Sequence, residues 1–122
     1  MSKESKIEKV EPIRLTDTET GETYVLEFSR ESVKWAESRK FAIGELTDYV
    51  NTNVPDLFYY AFRKNHKNIA RDKTDKILFE DLKGLSPKEI ERLIQLYSQP
   101  MNALIRAEDD GERKNSKITV EL

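Results

Sequence analysis

Ser86-Pro87-Lys88-Glu89 and the apolar series behind it constrain this chain more than any other feature. A serine at the cap, a proline at the first helical position and a glutamate at the third let two side chains satisfy two backbone donors reciprocally, and the proline gives up only an amide that has no helical partner there. Beyond that start, Ile90, Leu93, Ile94, Tyr97, Met101, Leu104 and Ile105 recur at spacings of three and four, which predicts a single long helix of roughly four turns or more with one apolar face. Such a face has to be covered, so this helix is expected to organise the core. Pro100 cannot donate to the carbonyl of Leu96, which predicts a bend or a split at that point.

The chain has 122 residues, enough for one domain with one modest core. Ahead of the long helix, Ile13 and Leu15 alternate with polar residues, Thr16 to Glu22 supplies a turn, and Tyr24, Leu26 and Phe28 alternate again. This pattern predicts a β-hairpin with Ile13, Leu15, Tyr24, Leu26 and Phe28 on one face, Gly21 taking the positive φ of the reversal. Ser29 is the expected cap of a short helix over residues 30–40, in which Val33 and Ala36 share a face while Trp35 lies roughly 200° from Val33, so that one of these two side chains leaves the main core. Asn53 as cap and Pro55 in the first turn predict a helix running to Asn65 or His66 with Leu57, Phe58, Ala61 and Phe62 inward. Thr74 as cap predicts another short helix, with Ile77, Leu78 and Leu82 inward and a left-handed stop at Gly84. The fold class expected is therefore α+β, a hairpin packed beside about four helices. Residues 12–107 form the expected domain, 1–11 a mobile leader, and 108–122 a flexible charged tail, the alternative being that Ile118, Val120 and Leu122, which alternate like a strand, add to an open sheet edge of this or a neighbouring copy.

The search for chemistry returns little. There is no cysteine, which excludes disulfides, thiolate nucleophiles and cysteine-held zinc or iron–sulfur sites. His66 is the one histidine, placed at a predicted helix end where the dipole favours its charged form and its ring can cap carbonyls, a structural role rather than a catalytic one. Gly21, Gly44, Gly84 and Gly111 are isolated from one another, so no phosphate loop is formed, and Asp109-Asp110-Gly111-Glu112 lacks the alternation of a calcium loop. The reading is a non-enzyme without cofactor or metal. No apolar run approaches the roughly 20 residues a membrane-spanning helix needs, and no secretory signal follows Met1, so a soluble protein of the cytoplasm is expected.

Charge points the same way. The 21 Lys and Arg nearly balance 23 Asp and Glu, for a net charge of −2, which disfavours general nucleic-acid binding. Residues 63–76 are the exception, with six Lys or Arg against two Asp, a local charge of +4. With aromatics just ahead of it, this segment offers phosphate contacts and stacking, although cations are also favoured at a helix end for structural reasons. The expected business of the chain is binding another protein, through Trp35, Tyr59, Tyr60, Tyr97 and Met101 as apolar contacts and Arg63 and Lys64 as a charged rim.

Three stretches carry a resemblance: YVLEFSRESVKWAE at 24–37, LFYYAFRKNHKNI at 57–69 and LIQLYSQPMNALI at 93–105. Together they resemble small proteins encoded among the tail genes of long-tailed phages and prophages of Gram-positive bacteria, similar to tail assembly chaperones. The likeness spans roughly residues 12–107. It implies a non-enzymatic helper that self-associates, binds the apolar-rich tape measure protein, keeps it soluble while tail tube protein assembles around it, and is absent from the finished particle. A minor tail or connector component kept in the virion is the alternative, and a nucleic-acid-binding accessory protein a further one.

Overall fold

The computed structural model describes residues 9–105, 117–118 and 120–122. Two strands, β1 (Ile13–Thr16) and β2 (Thr23–Leu26), pair antiparallel with Ile13 opposite Leu26, Arg14 opposite Val25 and Leu15 opposite Tyr24. Four helices follow: α1 (Arg30–Ser38), α2 (Val50–Ala61), α3 (Arg71–Lys76) and α4 (Pro87–Leu104), with a short 3₁₀ turn at Ile43–Glu45. The α+β architecture of a hairpin beside four helices is thus the one the residue pattern predicts.

Local chemistry explains the elements. Between the strands, the Asp17 carboxylate accepts from the amides of Glu19 and Thr20 at 2.9 and 3.2 Å, and Gly21 turns the chain at φ 79°. Ser29 caps α1 through a box closed by another serine: its Oγ accepts from the Ser32 amide at 3.2 Å and its own amide donates to Ser32 Oγ at 2.8 Å. The same reciprocity holds α4, with Ser86 Oγ accepting from Glu89 N–H at 3.1 Å and Ser86 N–H donating to the Glu89 carboxylate at 2.8 Å. The α4 helix runs through Pro100 without splitting. Its buried residues are Leu93, Leu96 and Tyr97, and full burial of a leucine such as Leu93 stabilises by about 2 kcal/mol.

Two helix starts lie earlier than the cap residues predict. The α2 helix begins at Val50, so Asn53 lies inside it and spends its side-chain amide on the carbonyl of Glu45 at 2.9 Å; Pro55 lies deeper still, and the helix forgoes the bond from residue 55 to the Asn51 carbonyl. It also ends at Ala61, short of Asn65 and His66. The α3 helix begins at Arg71, and Thr74 is fully buried within it, its hydroxyl donating to the Arg71 carbonyl at 3.0 Å. In both places a residue type that caps by bonding a nearby backbone group bonds backward instead. After α3 the coil widens into a π-helical turn over Ile77–Asp81, where Leu82 N–H reaches Ile77 O at 2.8 Å, and Lys83 and Gly84 stop it at φ 58° and 97°.

The core lies where the hairpin's inner face meets α2, α4 and the π turn: Tyr24, Leu26 and Phe28 pack with Leu57, Phe58, Phe62, Ile77, Leu78, Leu93, Leu96 and Tyr97. A bond from Glu27 N–H to the Ala61 carbonyl, at 3.1 Å, stitches the hairpin to the end of α2. At the other end of the chain, Arg92 holds the Glu11 carbonyl at 3.1 Å and Val10 packs on the core. Residues 1–8 and 106–116, most of the predicted leader and the charged part of the tail, lie outside the described residues; Ile118, Val120 and Leu122 are exposed and belong to no strand.

Candidate partner-binding site

The α1 and α2 helices bring Trp35, Tyr59 and Tyr60 together. Trp35 and Tyr60 meet edge to face with centroids 5.3 Å apart, and Tyr59 lies 6.0 Å from Trp35. Two guanidinium groups stand over the indole, Arg39 at 4.1 Å and Arg63 at 4.2 Å from its centroid. Arg39 is the C-cap of α1, four residues after Trp35, and Arg63 comes from just beyond α2, so the cluster ties the two helices by contacts each worth about 0.5–1 kcal/mol at an exposed site. Among the described residues neither guanidinium has a carboxylate within ion-pair distance. Arg39 lies outside the residues that the sequence pattern marks, although it stands one turn after Trp35.

Arg63 therefore sits with the aromatic cluster, whereas Lys64 does not. Its Nζ pairs with Glu27 at 3.2 Å, beside the hairpin. Burial works against the Glu27 carboxylate, but hydrogen bonds from Asn65 and Lys64 and the Lys64 charge hold it below the ordinary glutamate range. Of the six cations in 63–76, Arg71 is bound to both Asp56 and Asp75 at 3.0 Å, and Lys76 to Asp81 at 3.2 Å, so with Lys64 three of the six are paired within the fold. His66 is structural, as expected, but at a different place. Its Nε2 accepts from the Val25 amide at 3.0 Å and its ring meets Tyr24 at 5.3 Å, so it finishes β2 rather than capping a helix.

A second region is apolar. Between α1 and the last turns of α4 runs a groove of ≈ 250 Å³ lined by Val33, Phe41, Ile43, Tyr97, Met101 and Leu104, with Arg30, Lys34 and Glu37 on its rim. Met101, Leu104 and Ile105 are 52%, 62% and 67% exposed, a run of apolar surface continuous with the groove at the end of α4. The volume is below the about 300–1,000 Å³ usual for small-molecule sites and suits a few inserted side chains better. Tyr97 is buried at its floor, where lost hydration, and then the nearby Glu37 charge, push its hydroxyl up to about 12.

The seven residues expected to meet a partner thus fall into separate places. Trp35, Tyr59 and Arg63 are half-buried in the aromatic cluster, Lys64 is half-exposed in its ion pair, and Met101 is open in the groove. Tyr60 and Tyr97 are core residues, 6% and 5% exposed. Phe41 links the two regions, with centroids 5.3 Å from Tyr60 and 5.5 Å from Tyr97. Val33, Phe41, Ile43 and Leu104 complete the groove, a role that spacing within one helix does not reveal because the lining comes from three segments.

A family model matches residues 1–122, the whole chain, under the description domain of unknown function (DUF5055). The chain belongs to the DUF5055 family. No curated protein matches it, and no solved structure does. What this DUF5055 domain offers a partner is accordingly argued from its own surface: one apolar groove, and one aromatic cluster carrying two guanidinium groups. Among the described residues no helix is long and apolar enough to cross a membrane.

Proposed function

We propose that this chain is a non-enzymatic tail assembly chaperone of a phage or prophage, working in the host cytoplasm by holding apolar helical segments of the tape measure protein in the groove between α1 and α4. The observation that carries this reading is the apolar end of α4, where Met101, Leu104 and Ile105 stay exposed next to a groove floored by Phe41 and Tyr97. A patch of this kind is costly in water and is a common mark of a protein-binding surface. Methionine adapts to varied apolar contacts, which suits a client presenting many similar segments. The resemblance of residues 24–37, 57–69 and 93–105 to tail assembly chaperones supplies the client's identity and the expectation of self-association. It also supplies tail tube protein as the component that later replaces the chaperone on the client.

The test is co-expression with the tape measure protein encoded nearby, scored by solubility and co-purification. The unaltered chain is expected to raise the soluble fraction and to co-purify. Met101→Glu combined with Leu104→Glu is expected to lose both effects while melting like the unaltered chain, because those positions are exposed. Unchanged rescue by the double variant, or no rescue by the unaltered chain, refutes the proposal. A chain detected by mass spectrometry in purified particles refutes it in favour of a retained tail component.

A further inference from the structure

The two outer edges of the hairpin are chemically unlike. In an antiparallel pair, alternate residues turn their amide and carbonyl toward the partner strand and the others turn them away. Asp17 N–H bonds the Glu22 carbonyl at 2.7 Å, which assigns the inward-bonding set on β1 to Ile13, Leu15 and Asp17, and leaves Arg14 and Thr16 facing out. On β2 the outward residues are Thr23 and Val25, and Val25 is satisfied from the side: its amide donates to His66 Nε2 at 3.0 Å and its carbonyl accepts from Asn65 Nδ2 at 3.0 Å. No such partner meets the backbone of Arg14 among the described residues. The edge of β2 is blocked at Val25 and, just beyond the strand, at Glu27, whereas that of β1 is open.

The open edge borders a cleft of ≈ 530 Å³ between Arg14, Leu15 and Thr16 on one side and Lys76, Ile77 and Leu82 on the other. A strand laid there would continue the sheet, and its inward side chains would follow Ile13 and Leu15 toward Ile77 and Leu82. The chain itself carries a segment of the required pattern: Lys117, Ile118, Thr119, Val120, Glu121 and Leu122 alternate polar and apolar. Val120 and Leu122 are 57% and 118% exposed, and neither lines the cleft. From Ile105 to Lys117 the backbone can span up to about 40 Å, enough to carry the segment clear of its own domain.

We propose that copies of this chain associate by strand addition, residues 117–122 of one copy lying along the open edge of β1 in the next, with Ile118, Val120 and Leu122 turned into the cleft. Backbone hydrogen bonds to Arg14 and Thr16 supply the docking and the alternate apolar side chains the register. The interaction gives a mode for the self-association expected in the proposed function, but uses neither the α1–α4 groove nor the tape measure protein, so its failure leaves the groove's part in that reading untouched.

The experiment is sedimentation velocity on the full chain from micromolar to hundreds of micromolar, compared with a chain ending at residue 116 and with Val120→Asp. The full chain is expected to increase in mass with concentration, and both variants to associate at least about tenfold more weakly. Arg14→Pro, which plugs the edge without touching a bond to β2, is expected to act on the acceptor side in the same way, and a peptide of residues 117–122 to dissociate the unaltered assembly. A chain that stays monomeric throughout, or an assembly indifferent to removal of residues 117–122, overturns the proposal.

Discussion

Replacing His66 tests whether the second strand depends on a side chain to complete its bonding. His66 Nε2 takes the Val25 amide at 3.0 Å, and its ring lies 5.3 Å from Tyr24 and 6.1 Å from Phe62. His66→Phe keeps an aromatic ring and removes the acceptor. A hydrogen bond of this kind is worth about 0.5–1.5 kcal/mol net, and Val25 is only half-buried, so water recovers part of the loss and the expected cost is about 1 kcal/mol. His66→Ala also removes the edge contacts to two rings, which brings the total to about 2–3 kcal/mol. Urea unfolding followed through Trp35 fluorescence gives both values, and the phenylalanine variant should melt about 3–5 °C lower. Hydrogen exchange gives the sharper reading: the Val25 amide should exchange faster in both variants while amides of β1 that bond β2 hold their protection. Equal stability of His66→Phe and the unaltered chain, with Val25 exchange unmoved, refutes the reasoning.

Glu27 lies below the usual glutamate value of 4.5 in the folded chain, so its contribution is present above about pH 4.5 and is lost as pH falls through the lower folded value; Glu27→Gln should flatten the acid limb of stability against pH. Tyr24 and Tyr97 are both pushed up to about 12, chiefly by burial, so that the stabilisation they contribute is complete below pH 10 and is lost as pH rises toward 12. Absorbance titration of the phenols should show these two ionising late or only on unfolding, and a single transition for all tyrosines near pH 10 counts against the burial described. Ser86→Ala should cost about 1 kcal/mol in urea unfolding, since it removes the acceptor for the Glu89 amide, and a neutral result would mean the box does not hold α4.

Features whose cause is local could be read from the residues alone. The box at Ser86, the cap at Ser29, the left-handed Gly84 and the alternating face of Tyr24, Leu26 and Phe28 all depend on neighbours within a few positions, and each stands where the pattern puts it. Asn53 and Thr74 look equally like caps, but each has a carbonyl behind it, Glu45 and Arg71, that its side chain bonds instead, and only the folded chain decides between the two. Leu96 was missing from the stripe of α4 because a helix covered on two sides buries a wider arc than one seam. The aromatic cluster was half legible. Trp35 and Tyr59 stand out by type, whereas the pairing of Arg39 with Arg63 over one indole depends on how α1 meets α2. His66 lies 41 residues from the amide it serves, a separation no local pattern reports.

Asn65 and His66 have a consequence for how the molecule behaves in a crowded solution. A ribbon with two sticky margins can recruit neighbours on either side and extend without limit, which is the geometry of fibrous precipitation. Here the polar tips of a single turn block the middle of one margin at Val25, which disfavours a guest on that side. Removing both tips should convert a protein with a single docking berth into one prone to stacking, a hazard that grows with expression level.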